Sequence, residues 1–271
     1  MTRPFILIAI LLLNIFPVLA GETAQSDSSK HYRVWLRTFG NWTQGNTTTS
    51  GNTEFSSYGL TLGMDRQIGT NWLWGVSLGE NWTKITHSPY KEDLTAFHAT
   101  TYARRTFDLF YLDVEGNFGS NDHSVQQNAT QWGVGGEAGT WWSHGLGRAE
   151  PFVRLSHVCW NGDGSDTKET LIAGLRYSWR TSTDLTSTVP RFYGGVLQEL
   201  GDQSLFQVST FGNTPTVFPV RNLEVPGTRF FLGGGFTTSM GTSLDISVRY
   251  TAEMSSRSTS HTALLGVNCN F

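Results

Sequence analysis

The chain has 271 residues and a formal net charge of −3, from 19 basic and 22 acidic side chains. So small a charge gives nucleic acid no footing, and two cysteines are too few for a small disulfide scaffold. Charged residues reach only 15% of the chain, against roughly 25% in ordinary soluble domains, which argues against a standard water-exposed surface.

Aromatic residues make up 13%, ten of them tryptophan, and glycine occurs 30 times. A transmembrane β-barrel accounts for this mixture. Only alternate residues of its strands face lipid, so its average stays polar, and aromatic girdles mark both interfaces.

Residues 1–20 read as a secretory signal peptide. Arg3 supplies the positive start, an apolar run follows from Phe5 to Leu13, and Val18-Leu19-Ala20 ends in a small residue after which cleavage is expected. The run is short for a spanning helix, which needs about 20 apolar residues. Residues 21–31 (GETAQSDSSKH) form a short polar segment.

From Tyr32 the pattern has period 2, the mark of a strand with two unlike faces. Tyr58, Leu60, Leu62 and Met64 alternate with Ser57, Gly59, Thr61, Gly63 and Asp65. Trp72, Trp74, Val76 and Leu78 alternate with Leu73, Gly75, Ser77 and Gly79. The same rhythm returns around Leu171–Trp179 and Leu244–Tyr250. Several runs reach ten residues or more. Soluble strands average roughly 5–6, whereas a tilted membrane strand needs about 9–11.

Twelve strands are predicted, at 32–42, 54–66, 71–83, 93–105, 108–119, 130–143, 148–160, 169–181, 190–201, 228–239, 243–253 and 260–271. Residues 203–218 are assigned to an extended loop, because single-chain bacterial barrels have even strand numbers. The expected architecture is all-β: a closed, 12-stranded, antiparallel transmembrane barrel over 32–271. Short connections (RQIGT, RTF, HGLG, MGT) alternate with longer polar ones (NTTTSGN, THSPYKE, NDHSVQQN, NGDGSDTKE and 202–227), as a barrel with turns on one side and loops on the other requires. Trp42, Trp72, Trp82, Trp132, Trp142, Trp160 and Trp179 fall near predicted strand ends, where indole rings meet lipid headgroups. Cys159 and Cys269 fall at opposite ends of their strands, too far apart for a disulfide, so two free thiols are expected.

Motifs that carry chemistry are sparse. Gly75-Val76-Ser77-Leu78-Gly79 fits the nucleophile-elbow pattern, but that motif needs a sharp strand-to-helix turn and here it lies mid-strand. The histidines are scattered without metal-ligand spacing. No catalytic, cofactor-binding or metal-binding residue is therefore assigned, and no cofactor is expected. The inward parity instead collects Arg37, Asp113, Glu115, Glu137, Arg154, Arg176, Arg180, Asp245, Arg249 and Glu253 as predicted lumen-lining residues. Their mixed signs suit either a mutually paired network or a hydrated conduit. At the C-terminus, Ala263, Leu265, Val267, Cys269 and Phe271 share the outward face, and Thr262, Gly266, Asn268 and Asn270 the inward one. This last strand is expected to close on 32–42 and abolish both edges.

Several stretches together carry a family likeness. They are GLTLGMDRQIGTNWLWGVSLG (59–79), HATTYARRTFDLFYLDVEGNFG (98–119), GGEAGTWW (135–142) followed by AEPFVRLSH (149–157), LQELGD (197–202) and the terminal Phe271. In this order, across 32–271, the sequence resembles the C-terminal translocator barrel of autotransporters. Gln198 stands where that family usually has histidine, and Cys269 where an aromatic is common. The resemblance implies a twelve-stranded barrel in the bacterial outer membrane, in contact with its lipid. It also implies that the C-terminal strand is read by the barrel assembly machinery, with Phe271, Val267 and Leu265 as the signal.

Family members carry a large passenger and a helix threading the pore. The 11 residues between Ala20 and Tyr32 would span about 16 Å as a helix, short of a hydrocarbon core of roughly 30 Å. A passenger-less, monomeric barrel is therefore expected, acting as a structural or narrow pore-forming surface protein and not as an enzyme. Two alternatives are an export barrel for a separately encoded partner, and an outer-membrane barrel hydrolase or protease. The latter would need a Ser/His or Asp/His cluster at the extracellular rim, and spacing alone reveals none.

Overall fold

The computed structural model describes residues 32–47, 51–87, 90–123, 129–145, 147–162, 165–183, 186–200, 205–208, 216–219, 227–241 and 243–271. The expected signal peptide and polar segment over 1–31 lie outside them. Twelve long strands form the fold: β1 (Tyr32–Thr47), β2 (Gly51–Ile68), β3 (Trp72–His87), β4 (Tyr90–Thr106), β5 (Phe110–His123), β6 (Ala129–Thr140), β7 (Gly147–Asn161), β8 (Ser165–Ser178), β9 (Thr186–Glu199), β10 (Thr228–Met240), β11 (Leu244–Met254) and β12 (Ser258–Asn270). Each pairs antiparallel with its sequence neighbours. The barrel closes where β12 pairs with β1, from Arg33↔Asn270 to Gly45↔Ser258. Reciprocal backbone bonds between Tyr32 and Phe271 lock the seam, with the Phe271 N–H 2.8 Å from the Tyr32 carbonyl and the Tyr32 N–H 3.2 Å from that of Phe271.

Most strands run further than expected at the end bearing the 200–227 connection, called here the loop end, whereas β9 ends at Glu199 and instead begins earlier, at Thr186, at the opposite end. Most of the polar stretch NTTTSGN belongs to the β1–β2 ladder, which continues to Thr47↔Gly51. β3 and β4 likewise pair out to His87↔Tyr90. The apolar alternation stops where the outward face no longer needs to be apolar, but Asn, Thr and Ser can still pair through their backbones. The expected strand over 130–143 breaks at Trp141, and Trp142–His144 resumes as a short piece paired with Gly147–Ala149. The segment 203–218 is not a bare loop. Leu205–Val208 pairs with Thr216–Pro219 in a separate two-stranded sheet lying alongside β8 and β7. At the opposite end, called the turn end, Gly69 and Gly241 take left-handed backbone angles (φ 61° and 65°), which glycine adopts without a Cβ clash.

The two faces of the wall are unlike. Leu36, Val76, Val114, Val134, Leu155, Leu175, Phe192, Leu232 and Leu265 are exposed on the outside, forming an apolar surface far larger than a water-soluble protein tolerates. Trp42, Tyr58 and Trp132 stand outward towards the loop end and Trp72, Trp74 and Trp142 towards the turn end. Tyr58 stacks on Trp82 with ring centroids 5.2 Å apart. Trp160, expected at the membrane interface, instead faces inward and is 5% exposed, because it shares parity with Phe152, Ser156 and Val158.

The glycines follow from the narrowness of the interior. Trp35 faces Gly63, Phe39 faces Gly59, Tyr111 faces Gly139 and Tyr193 faces Gly233 across the ladders. A Cβ on any of these glycines would collide with the opposing ring. Large inward side chains are thus accommodated by lying over a partner without a side chain.

Two outcomes are expected. Unboiled folded protein should migrate differently from boiled protein on a denaturing gel, since a barrel without edges resists detergent; identical migration of a verified folded sample would contradict closure. Gly63→Val should displace Trp35 and cost about 1–3 kcal/mol, read as a lower temperature for the loss of the fast-migrating form.

Candidate functional site in the barrel lumen

Inward parity brings charged side chains from non-adjacent strands into the turn-end half of the lumen, around a cavity of about 400 Å³. Arg37, Asp113, Glu115, Glu137, Arg154, Arg176, Arg249 and Glu253 line it. Asp245 lies nearer the turn end, at the start of β11, where its carboxylate accepts a 3.2 Å bond from Asn270. Arg180 lies two residues beyond β8 and is exposed, away from the cavity, because the β8 ladder stops at Ser178.

Five ion-pair groups organise these charges. Near the turn end, Arg33 donates to Asp65 through Nε and Nη2 at 3.0 and 2.8 Å. Tyr102 donates to the same carboxylate at 2.8 Å and accepts a 3.0 Å bond from the Trp35 indole. Arg104 grips Asp113 through both arms of its guanidinium, at 2.6 and 2.5 Å. Arg154 donates to Glu115, and Arg176 holds Glu137 at 2.7 and 2.9 Å while also reaching Glu150 at 2.9 Å. Tyr111 donates to Glu137 at 2.7 Å, and Arg148 approaches Glu150 at 3.6 Å. Towards the loop end, Glu199 receives Lys168 at 2.9 Å and also Arg229, which in turn donates to Glu253 at 3.1 Å. Arg33, Asp65, Tyr102, Arg104, Glu150, Lys168, Glu199 and Arg229 were absent from the sequence-based set. Parity would have caught Arg33, four residues before Arg37 on the same face, and Asp65, which the alternation over 57–65 sets inward. The rest sit near strand ends, where the apolar alternation that reveals parity fades.

The loop-end half of the lumen is of another kind. Phe55, Ile85, Leu94 and Ala96 face inward and are buried, and Ala129, Val158 and Trp160 form a buried apolar cluster. The lumen is therefore charged and partly hollow below and packed above. Ser77, of the Gly-x-Ser-x-Gly match, is one of the buried inward residues in mid-β3.

One outward constellation was invisible by spacing. His157 lies 3.2 Å from the Cys159 thiol through Nε2 and 3.2 Å from Glu169 through Nδ1. The three groups meet because 157 and 159 share a strand face and Glu169 is paired directly with His157. The order thiol, imidazole, carboxylate is that of a nucleophile and its base. Acyl transfer also needs donors aimed at the developing oxyanion, and the β7 backbone around His157 and Cys159 is engaged in ladders on both sides. Among the described residues, no three His, Cys, Asp or Glu side chains gather as a metal site. Both cysteines are free.

A closed antiparallel barrel with an apolar, aromatic-banded exterior and a charged interior is the architecture of an outer-membrane protein. The chain belongs to the autotransporter family: the model of the autotransporter beta-domain matches residues 34–251. Its fold is similar to the translocator domain of the autotransporter NalP from Neisseria meningitidis (TM-score 0.67, 16% identity, covering 97% of this chain and 95% of that one). It is also similar to the beta domain of the Bordetella autotransporter BrkA (TM-score 0.71, 17% identity, 89% and 99%). The transport unit of AIDA-I from Escherichia coli gives a TM-score of 0.64 at 12% identity, with 92% of each chain covered. No curated protein matches the chain. These findings make it a twelve-stranded barrel of the bacterial outer membrane, in contact with lipid.

Breaking the Arg176 group should be costly. Arg176→Met leaves Glu137 and Glu150 without their common cation and is expected to destabilise the barrel by about 3–5 kcal/mol. Combining it with Glu137→Gln should recover part of that loss. The measurement is a double-mutant cycle on the thermal transition of the refolded protein, and additive losses would mean that the pair is not coupled.

Proposed function

We propose that this barrel serves as a narrow pore-forming or structural protein of the cell surface and is not an enzyme. In this reading it is exported through a signal peptide over residues 1–20, followed by the polar segment 21–31 and the barrel domain 32–271. The observation that carries the reading is the lumen: a cavity ringed by charges, most of them paired, in one half and apolar packing in the other. A ring of charge keeps water inside a barrel, and about eight strands fill their interior whereas 16–18 leave an open channel. Twelve strands fall between, and the packed half narrows the path further. Membership of the autotransporter family favours a second reading, an export barrel for a partner encoded elsewhere; co-purification of such a partner would distinguish it.

The 200–227 connection is the element proposed to restrict the path, since its hairpin lies alongside β7 and β8. Deleting 203–225 should raise single-channel conductance of the refolded protein in a planar bilayer. An unchanged trace would put this connection outside the conducting path.

We also propose that the last strand carries the assembly signal through Phe271, Val267 and Leu265, and that the barrel is monomeric. Phe271 and Leu265 are exposed outward. Loss of one outward aromatic would cost only about 1–3 kcal/mol of burial in lipid and leave most protein assembled. Deleting Phe271 should instead sharply reduce outer-membrane yield in cells while refolding in detergent stays near normal. Normal yield in cells would rule the signal out.

A further inference from the structure

The charge count of the lumen does not close. Arg33 is matched by Asp65, Arg104 by Asp113 and Arg154 by Glu115. Arg148 and Arg176 are matched by Glu137 and Glu150. Lys168 and Arg229 are matched by Glu199 and Glu253. Three further arginines line the same cavity: Arg37, Arg191 and Arg249. Among the described residues, none of the three has a carboxylate within ion-pair distance. Arg37 lies against the Trp35 ring, 4.3 Å from its centroid, a contact that leaves its N–H groups unclaimed. Asp245 carries the one lumen-facing carboxylate of β11 that is not in an ion pair. It is four residues from Arg249 along an extended strand, roughly 13 Å, and is bonded to Asn270.

The ladder places the three cations together. Arg191 on β9 and Arg249 on β11 both pair with Gly235 of the intervening β10. They therefore stand in one row, about 10 Å apart at the backbone. Gly235 leaves the wall between them bare: a Cβ there would sit 3.0 Å from Cγ of Arg249. Arg37 reaches the cavity from β1, paired with Gly266, which in turn pairs with Ser247, one inward position from Arg249. Charges held inside a membrane protein are almost always paired, and three like charges around one small cavity raise its affinity for an anion. A guanidinium presents a planar fork that matches the oxygens of phosphate or a carboxylate.

We infer that Arg37, Arg191 and Arg249 form a binding site for a small inorganic oxyanion of the phosphate type in the barrel lumen. The site goes beyond the proposed surface role and does not require that the barrel conduct, because it can be measured in detergent solution.

The test is calorimetric titration of the full, refolded barrel with inorganic phosphate at low ionic strength, with folding verified by heat-modifiable migration. Saturable binding at one site per barrel is expected. Arg191→Gln and Arg249→Gln should each weaken it by about tenfold or more, the loss of one charge-assisted contact, and the double variant should abolish it. Arg148→Gln, at an exposed edge outside the trio, should bind as the parent does. Removing unpaired cations should not lower the thermal transition in phosphate-free buffer, so the variants are expected to fold. If a glutamine variant nevertheless fails to fold, Arg191→Lys with Arg249→Lys keeps the charge but removes the fork, and should weaken binding in a folded barrel. Absence of saturable binding to the folded parent protein, or equal binding by the variants, would overturn the inference.

Discussion

Everything in this structure depends on the backbone having no alternative partner. Inside a bilayer an unbonded N–H or C=O costs several kcal/mol, and water is not there to satisfy it. A sheet meets that requirement only by closing, so β12 must find β1, and Tyr32 and Phe271 must meet at the seam. Once the wall is closed, its two faces have opposite obligations. The outside has to be apolar over the lipid depth and aromatic at its margins. The inside has to receive the charges that the strands carry across the lipid depth.

The interior is too narrow to receive them freely. Glycine opposite aromatic is one solution, and it explains why a chain with 30 glycines and 13% aromatic residues is neither loose nor disordered in its wall. Ion pairing across strands is the other. Arg176 reaches two carboxylates on two strands, and Glu199 two cations on two strands. Such bridges tie non-neighbouring strands together through the lumen, adding to the nearest-neighbour ladder. Of the charge left over after this pairing, Arg191 and Arg249 sit in one row beside Gly235, and Arg37 reaches the same cavity from β1.

The same logic bears on the outward Cys159, His157 and Glu169 group. Strand geometry brings same-face residues together whether or not chemistry follows, and ladders on both sides of β7 occupy the backbone N–H groups around His157 and Cys159 that acyl transfer would use. The turn-end half of the lumen differs because its spare donors belong to side chains, which remain available.

The strand count, the closure of the last strand on the first, and which face of each strand meets lipid were legible in the sequence, because a period of 2 assigns every second residue to one face once a single residue is placed. Arg37, Glu115, Arg176 and Arg249 could be set inside on that ground alone. Strand ends were less legible: where the outward face leaves the lipid, Asn, Thr and Ser replace the apolar residues and the rhythm is lost, although pairing continues to Thr47↔Gly51. For the same reason Trp160 was set in the aromatic belt when its parity turns it inward, and Lys168, Glu199 and Arg229 were missed. Register was decided only by the tertiary structure. Alternation says which way a side chain points but not how far one strand slides along the next, and that stagger determines whether two inward charges meet. It joins Arg176 to Glu137 and Glu150, lays Trp35 over Gly63, and leaves Arg191 and Arg249 facing each other across a glycine with no carboxylate between them.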